Sequence, residues 1–351
     1  MLRILPLLPF TLHAALVSPV KNVLFIAVDD LRPEHGAYGG AALTPNIDAF
    51  AQTAVRFNQN NVQIGVCSPS RTSLLLGRYP DSTHIHDLWH YFRSVGCNTT
   101  TLPQAFLKAG FDVRGASKIF HPGHASGAGA YPDPAATPCG AGCEGFNDPP
   151  SWGGYFEPPS NSLYPWNITD GPSWLALDEA AYPIALHPDS QAAAYIVAAI
   201  EGAARGGAPF FLAAGFLKPH LPFIVPSRFL APYANYTDIA PDHAAAADEA
   251  FASWTGWGEL RAYADIAPIA ARENLTRPGA QMPLAKALEL RRGYLAAVSF
   301  NDYLVGQVLA ALEASGHAND TVVVLWGDHG WNLVSAACGW RPSSASLRGP
   351  I

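Results

Sequence analysis

Four short apolar runs, each followed at once by titratable residues, constrain this chain more than any other feature. They are Asn22 to Val28, Phe111 to Gly115, Pro209 to Phe216 and Thr321 to Trp326. Runs of this length without alternation are the mark of strands buried on both faces, as in parallel sheets. Helical segments separate them. One has Thr44 as N-cap and Pro45 at the first helical position, and runs to about Ala54. Others cover roughly Thr101 to Ala109, Ser190 to Ala204 and Lys286 to Ser315. Strands alternating with helices predict an α/β sandwich around a mostly parallel sheet. With 351 residues the chain can form one large α/β domain or two smaller ones.

Composition removes some classes of function. The net charge is −7 and no basic cluster interrupts it, which argues against a nucleic-acid partner. Hydrophobic residues make up 49%, enough to exclude a disordered chain. Met1 and Arg3 precede an apolar run from Ile4 to Val17, with small residues at Ala14, Ala15 and Ser18, so residues 1–18 read as a signal peptide. Pro6, Pro9 and the shortness of the run speak against a membrane anchor. No other stretch reads as a bilayer span, so no stable membrane insertion is expected.

Five N-glycosylation acceptor patterns, at Asn98, Asn167, Asn235, Asn274 and Asn319, agree with a secretory route. The cysteines are Cys67, Cys97, Cys139, Cys143 and Cys338, an odd number that leaves at least one unpaired. If Cys67 is modified, Cys139 and Cys143 could close a small loop. The stretch from His124 to Pro188 is rich in Gly, Pro, Trp and Tyr, shows no clear period, and reads as a long surface excursion.

In open α/β sheets, ligands bind beyond the carboxyl ends of the strands. Here the first strand ends in Asp29-Asp30, and the second leads into Lys118 and His121. The third leads into Lys218-Pro219-His220, and the fourth ends in Asp328-His329. Asp29, Asp30 and Asp328 would place three carboxylates in one site, where they raise one another's pKa unless a cation compensates them. Oxygen-rich ligation suits Ca²⁺ or Mg²⁺ and not zinc. Lys118 and His121 stand three apart, while Lys218 and His220 alternate and would share a face of an extended segment. Such a set of cations and histidines fits a tetrahedral oxyanion.

Cys67-Ser68-Pro69-Ser70-Arg71 opens a further short apolar helix. Ser70 can cap it, and the N-terminal end of a helix favours anions and lowers the pKa of a nearby thiol or hydroxyl. Arg71 lies about one turn from Cys67 and can neutralise a nucleophile or a bound oxyanion. This segment resembles the signature of type I sulfatases. Asp-Asp-Leu-Arg-Pro from Asp29, Tyr38-Gly39, Thr44-Pro45-Asn46-Ile47-Asp48, Lys118-Ile-Phe-His121-Pro-Gly, Lys218-Pro-His220-Leu-Pro-Phe and Asp328-His329-Gly-Trp331 extend the resemblance over about residues 22–333. The chain is therefore similar to sulfatases of the alkaline-phosphatase-like superfamily, in its details to the iduronate-2-sulfatase branch.

The resemblance implies a three-layer α/β sandwich in which residues 22–333 form the sulfatase N-terminal catalytic domain. It implies that a formylglycine-generating enzyme oxidises Cys67 to formylglycine, whose hydrated aldehyde is the nucleophile. Asp29, Asp30, the modified Cys67, Asp328 and His329 would surround Ca²⁺ (or Mg²⁺). Arg71 and Lys118 would hold the formylglycine and the sulfate. His220 or Lys218 would assist the leaving oxygen, and His121 would help the second hydroxyl eliminate sulfate. The implied substrate is a sulfated carbohydrate, and the implied setting is the secretory pathway, lysosomal or extracellular. Related scaffolds also hydrolyse phosphonates or phosphoesters. After Leu333 the family continues with an acid-rich loop carrying another lysine and then a smaller C-terminal subdomain. Residues 334–351 instead read as an unrelated tail without regular structure, so an inactive homologue is a further alternative.

Overall fold

The computed structural model describes residues 20–96, 99–127, 148–153, 156–157, 171–237, 258–276, 282–332, 341–342 and 346–350. The proposed signal peptide, Cys97, Cys139, Cys143, Cys338 and the acceptor sites at Asn98 and Asn167 lie outside these residues. Strands run in chain order as β1 (Asn22–Val28), β2 (Arg56–Asn61), β3 (Asp112–Ser117), β4 (Phe156–Glu157), β5 (Trp174–Leu177), β6 (Phe210–Phe216), β7 (Phe223–Pro226), β8 (Thr321–Gly327), β9 (Trp331–Asn332), β10 (Arg341–Pro342) and β11 (Ser346–Pro350). The helices are α1 (Pro45–Thr53), α2 (Cys67–Leu76), α3 (Pro80–Thr83), α4 (Leu102–Lys108), α5 (Pro188–Gly206), α6 (Ser227–Leu230), α7 (Ala267–Arg272) and α8 (Leu284–Ala314).

The central sheet has the order β4-β3-β6-β1-β8, and each of its pairings is parallel. Its register sets Ile26 beside Ala214 on one side and Leu325 on the other. Alternation along β1 then divides the core. Leu24, Ile26 and Val28 join a cluster with residues of α5 and α8, while Phe25 and Ala27 join Leu75 and Leu76 of α2 on the opposite face. Both faces are covered, so the apolar runs need no polar side. The result is the three-layer sandwich expected, with the four parallel strand ends opening on one edge.

Several local expectations are corrected. Thr44 does not cap its own helix: its Oγ1 accepts from Gly36 N at 3.0 Å, and Asp302 of α8 accepts from Asn46 N and Ile47 N instead. Helix α4 starts with a capping box formed by Thr101 and Gln104. The irregular excursion contains β5, which pairs in parallel with β7. Helix α8 is in fact long and apolar enough to cross a membrane, but 67% of its most apolar window is buried inside the protein. It is a core helix that packs on α1, α5 and β7. The tail expected to lack regular structure contains β10, antiparallel to β9, and β11, antiparallel to β2. Main-chain pairing of open strand edges accounts for both. The described acceptor asparagines, Asn235, Asn274 and Asn319, are exposed.

Candidate active site

The site assembles where β1, β3, β6 and β8 end and α2 begins. Cys67 is the first residue of α2, so its Sγ lies at the helix N-terminus, 7% exposed. Ser70 sits inside this helix and is not its cap; its Oγ donates to Asp328 O at 2.5 Å, tying α2 to the end of β8. Gly77, at φ 63°, ends the helix in the left-handed conformation that glycine tolerates.

Around Cys67 Sγ stand His329 Nε2 at 3.0 Å, Asp29 Oδ1 at 3.6 Å and Lys118 Nζ at 3.8 Å. Lys118 also pairs with Asp29 Oδ2. Arg71, fully buried, donates from Nε to Asp328 Oδ2 at 2.7 Å and from Nη2 to Asp29 Oδ1 at 2.9 Å. Its Nη1 donates to the carbonyls of Lys118 and Ile119. Asp30, at φ 56°, donates its N–H to Asp328 Oδ1, which also accepts from His329 N, each at 2.9 Å. The backbone of Asp30 is anchored in turn by the Tyr294 hydroxyl, which donates to its carbonyl at 2.8 Å.

The electrostatics follow from burial and neighbours. Burial alone would raise the Asp29 carboxyl, but Lys118 and Arg71 hold it well below the usual range. At Asp30 the pull of Lys118 is outweighed: burial, and then the charges of Asp29 and Asp328, push it well above that range. Burial and the same carboxylates push the Cys67 thiol up, so an unmodified Cys67 is a poor nucleophile. His121 is brought down to about 3 by burial and by Lys118, and its Nδ1 faces Pro122 O at 3.0 Å. With a proton on Nδ1, its Nε2 keeps a lone pair and can act as a base.

Lys218 and His220 do not lie on an extended segment. Pro219 and Pro222 follow cis peptide bonds, and His220 N donates to Leu217 O at 2.8 Å, which makes the segment a turn. Lys218 Nζ reaches back to His220 O at 2.8 Å. His220 Nδ1 faces Leu221 O at 2.5 Å, while its Nε2 lies 3.1 Å from Glu259 Oε1 and 4.0 Å from Asp30 Oδ2. His220 Nε2 and the Glu259 carboxyl are therefore within hydrogen-bonding distance. Glu259 was not legible as a site residue, since it lies in no strand-end motif.

A divalent cation fits this geometry. Ligand atoms of Asp29, Asp30 and Asp328, and of Asp30, Cys67 and His329, each lie within 4.8 Å of one another. Neither Asp30 oxygen receives a hydrogen bond, although both are buried, and His329 Nδ1 lies 3.0 Å from one of them. Unsatisfied buried carboxylate oxygens in an oxygen-rich donor set are what a hard cation relieves.

A parallel α/β sandwich with this strand-end constellation defines the alkaline-phosphatase-like fold class. The chain belongs to the sulfatase family, which it matches over residues 21–347. It is 34% identical over 325 residues to iduronate 2-sulfatase of Homo sapiens, covering 89% of this chain and 55% of that protein. The chain thus spans about half the length of such curated relatives. Solved structures share the fold. The phosphonate monoester hydrolase of Agrobacterium radiobacter matches with TM-score 0.60 and 20% identity, over 94% of this chain and 68% of that one. A protein solved with its substrate D-glucosamine-2-N,6-O-disulfate matches with TM-score 0.55 and 16% identity, over 94% and 71%.

Proposed function

We propose that this chain is a sulfuric ester hydrolase that removes sulfate from a sulfated sugar, using a formylglycine made from Cys67 and a divalent cation. The observation that carries it is the placement of Cys67 at the start of α2, within 4 Å of His329, Asp29 and Lys118. A thiol pushed up by burial has no evident use there, whereas a hydrated aldehyde supplies one hydroxyl to take sulfate and a second to release it. Asp29, Asp30, Asp328, His329 and residue 67 would hold the cation, which would supply charge neutralisation.

The chain's own residues divide the remaining work. Lys118 and Arg71 neutralise the nucleophile and the bound oxyanion. His121 offers Nε2 as a base, and His220 with Glu259 holds a proton on the side of Lys218, where the leaving oxygen departs. The match to iduronate 2-sulfatase favours a sulfated glycan as substrate and a lysosomal or extracellular setting. A phosphonate or phosphoester substrate is the second reading, supported by the shared fold of a phosphonate monoester hydrolase.

Mass spectrometry of the Cys67 peptide after expression with a formylglycine-generating enzyme tests the first step. Conversion of thiol to aldehyde is expected, with faster turnover of an aryl sulfate than of an aryl phosphonate. An unconverted thiol, or a preference for the phosphonate, would overturn the proposal.

A further inference from the structure

Two side chains outside the strand-end motifs grip the turn that carries Lys218. Asp189 is the second residue of α5 and is 2% exposed. Its Oδ1 accepts from Leu217 N at 2.7 Å and its Oδ2 from Lys218 N at 2.8 Å. From α8, Asn301 Nδ2 donates to Lys218 O at 3.2 Å. The N–H and the carbonyl of Lys218 are thus both held, each by a side chain from one of the two longest helices. Beyond this grip the turn closes by His220 N on Leu217 O.

We infer that Asp189, assisted by Asn301, is a positioning residue that fixes the Lys218–His220 turn in the site and acts as a counter-charge to the Lys218 ammonium. This rests on the proposal that Lys218 and His220 serve the leaving oxygen. Two backbone N–H groups could be satisfied by a neutral acceptor, so the charge needs its own reason. A carboxylate this deeply buried is costly unless a cation faces it. Burial pushes Asp189 up to about 6 while Lys218 opposes that rise. Burial likewise brings Lys218 down to about 8, against the pull of Asp189 and Asp29. Lys118 and Asp30 also act on Lys218, as Lys218 does on His187 and Glu259.

The test reads charge on Lys218 without requiring turnover. Reductive methylation of the full chain across a pH series, quantified lysine by lysine, reports how readily each amine loses its proton. In Asp189→Asn, Lys218 should react roughly tenfold faster near pH 7, because an opposing buried charge is gone. Exposed Lys108 should be unchanged, and Asp189→Glu should restore the slow rate. The reciprocal variant, Lys218→Met, strands Asp189. It should shift the unfolding equilibrium against the native state by about tenfold more at pH 8 than at pH 5. Lys218 reactivity unaltered in folded Asp189→Asn, or a Lys218→Met deficit equal at both pH values, would overturn the inference. Absence of sulfate release would leave it standing.

Discussion

Arg71 Nη2 donates to Asp29 Oδ1 at 2.9 Å, joining α2 to the end of β1 in a contact from which water is excluded. The same guanidinium reaches Asp328 after β8 and two carbonyls after β3. A lysine ammonium cannot span two carboxylates and two carbonyls, because it lacks the planar fork. Arg71→Lys should therefore lower stability by about 3–5 kcal/mol, the cost of breaking a buried pair. Urea unfolding measures it. A loss below about 1 kcal/mol would mean that the bridge is worth no more than a surface pair.

The parallel sheet and the strand-end residues were legible because both rest on local signals. A doubly buried strand is apolar throughout, and the residues just past it are where such a sheet presents polar groups. Asp29, Lys118, His220 and Asp328 all follow this rule. Asp189, Asn301 and Glu259 do not. Asp189 reads as an ordinary first-turn acid of a helix, and only the packing of α5 against β6 turns it toward Leu217 and Lys218. Ser70 was misplaced for a related reason. The helix begins four residues earlier than a cap at Ser70 requires, since Cys67, Ser68, Pro69 and Ser70 already form its first turn. The strands β5 and β7 are short, and they pair across a separation that no local pattern encodes.

Calcium should stabilise the folded chain through Asp30. Its buried oxygens receive no hydrogen bond and face the charges of Asp29 and Asp328. At a hundredfold excess over its dissociation constant a ligand contributes about 2.7 kcal/mol, so Tm should rise by about 4 °C. Asp30→Asn should remove most of that response, yet without cation it should be at least as stable as the parent chain. Scanning calorimetry with Ca²⁺, Mg²⁺ and chelator decides, and a Tm indifferent to all three would refute the ligand assignment.

Gly215 governs the position of Lys118. A methyl group there would lie 2.5 Å from Lys118 C and 2.6 Å from its carbonyl oxygen, both rigid backbone atoms. Ser117, at φ 60°, turns the chain immediately before this crossing. Gly215→Ala should cost about 1–3 kcal/mol through overpacking. It should also lower aryl sulfate turnover by at least about tenfold, since small misplacements of a charge-bearing group are costly. Parent-like turnover in the folded variant would show that Lys118 tolerates displacement.

Acid should weaken the fold through two histidines outside the cluster around Cys67. His35 and His187 are buried, and burial brings each down from 6.5 to about 4. Asp48 and Glu34 oppose the shift at His35, while Lys218 adds to it at His187. Between pH 6.5 and 4 the unfolded chain binds protons at these positions and the folded chain does not. Stability from these groups is thus complete above 6.5 and is lost as pH falls through that window. Each histidine contributes on the order of 1 kcal/mol per pH unit. Carboxylates held low, such as Asp29, titrate below this range. Asp189, raised to about 6, and Glu259, raised to about 7, act in the opposite sense within it, and His121 acts in the same sense. The histidine contribution is therefore read as a difference between variant and parent. Unfolding free energies measured between pH 6.5 and 5 should fall in the parent relative to His35→Gln by on the order of 1 kcal/mol per pH unit. A difference between parent and His35→Gln that stays constant over this range would mean that His35 already holds a second proton in the folded protein, with an acceptor for it.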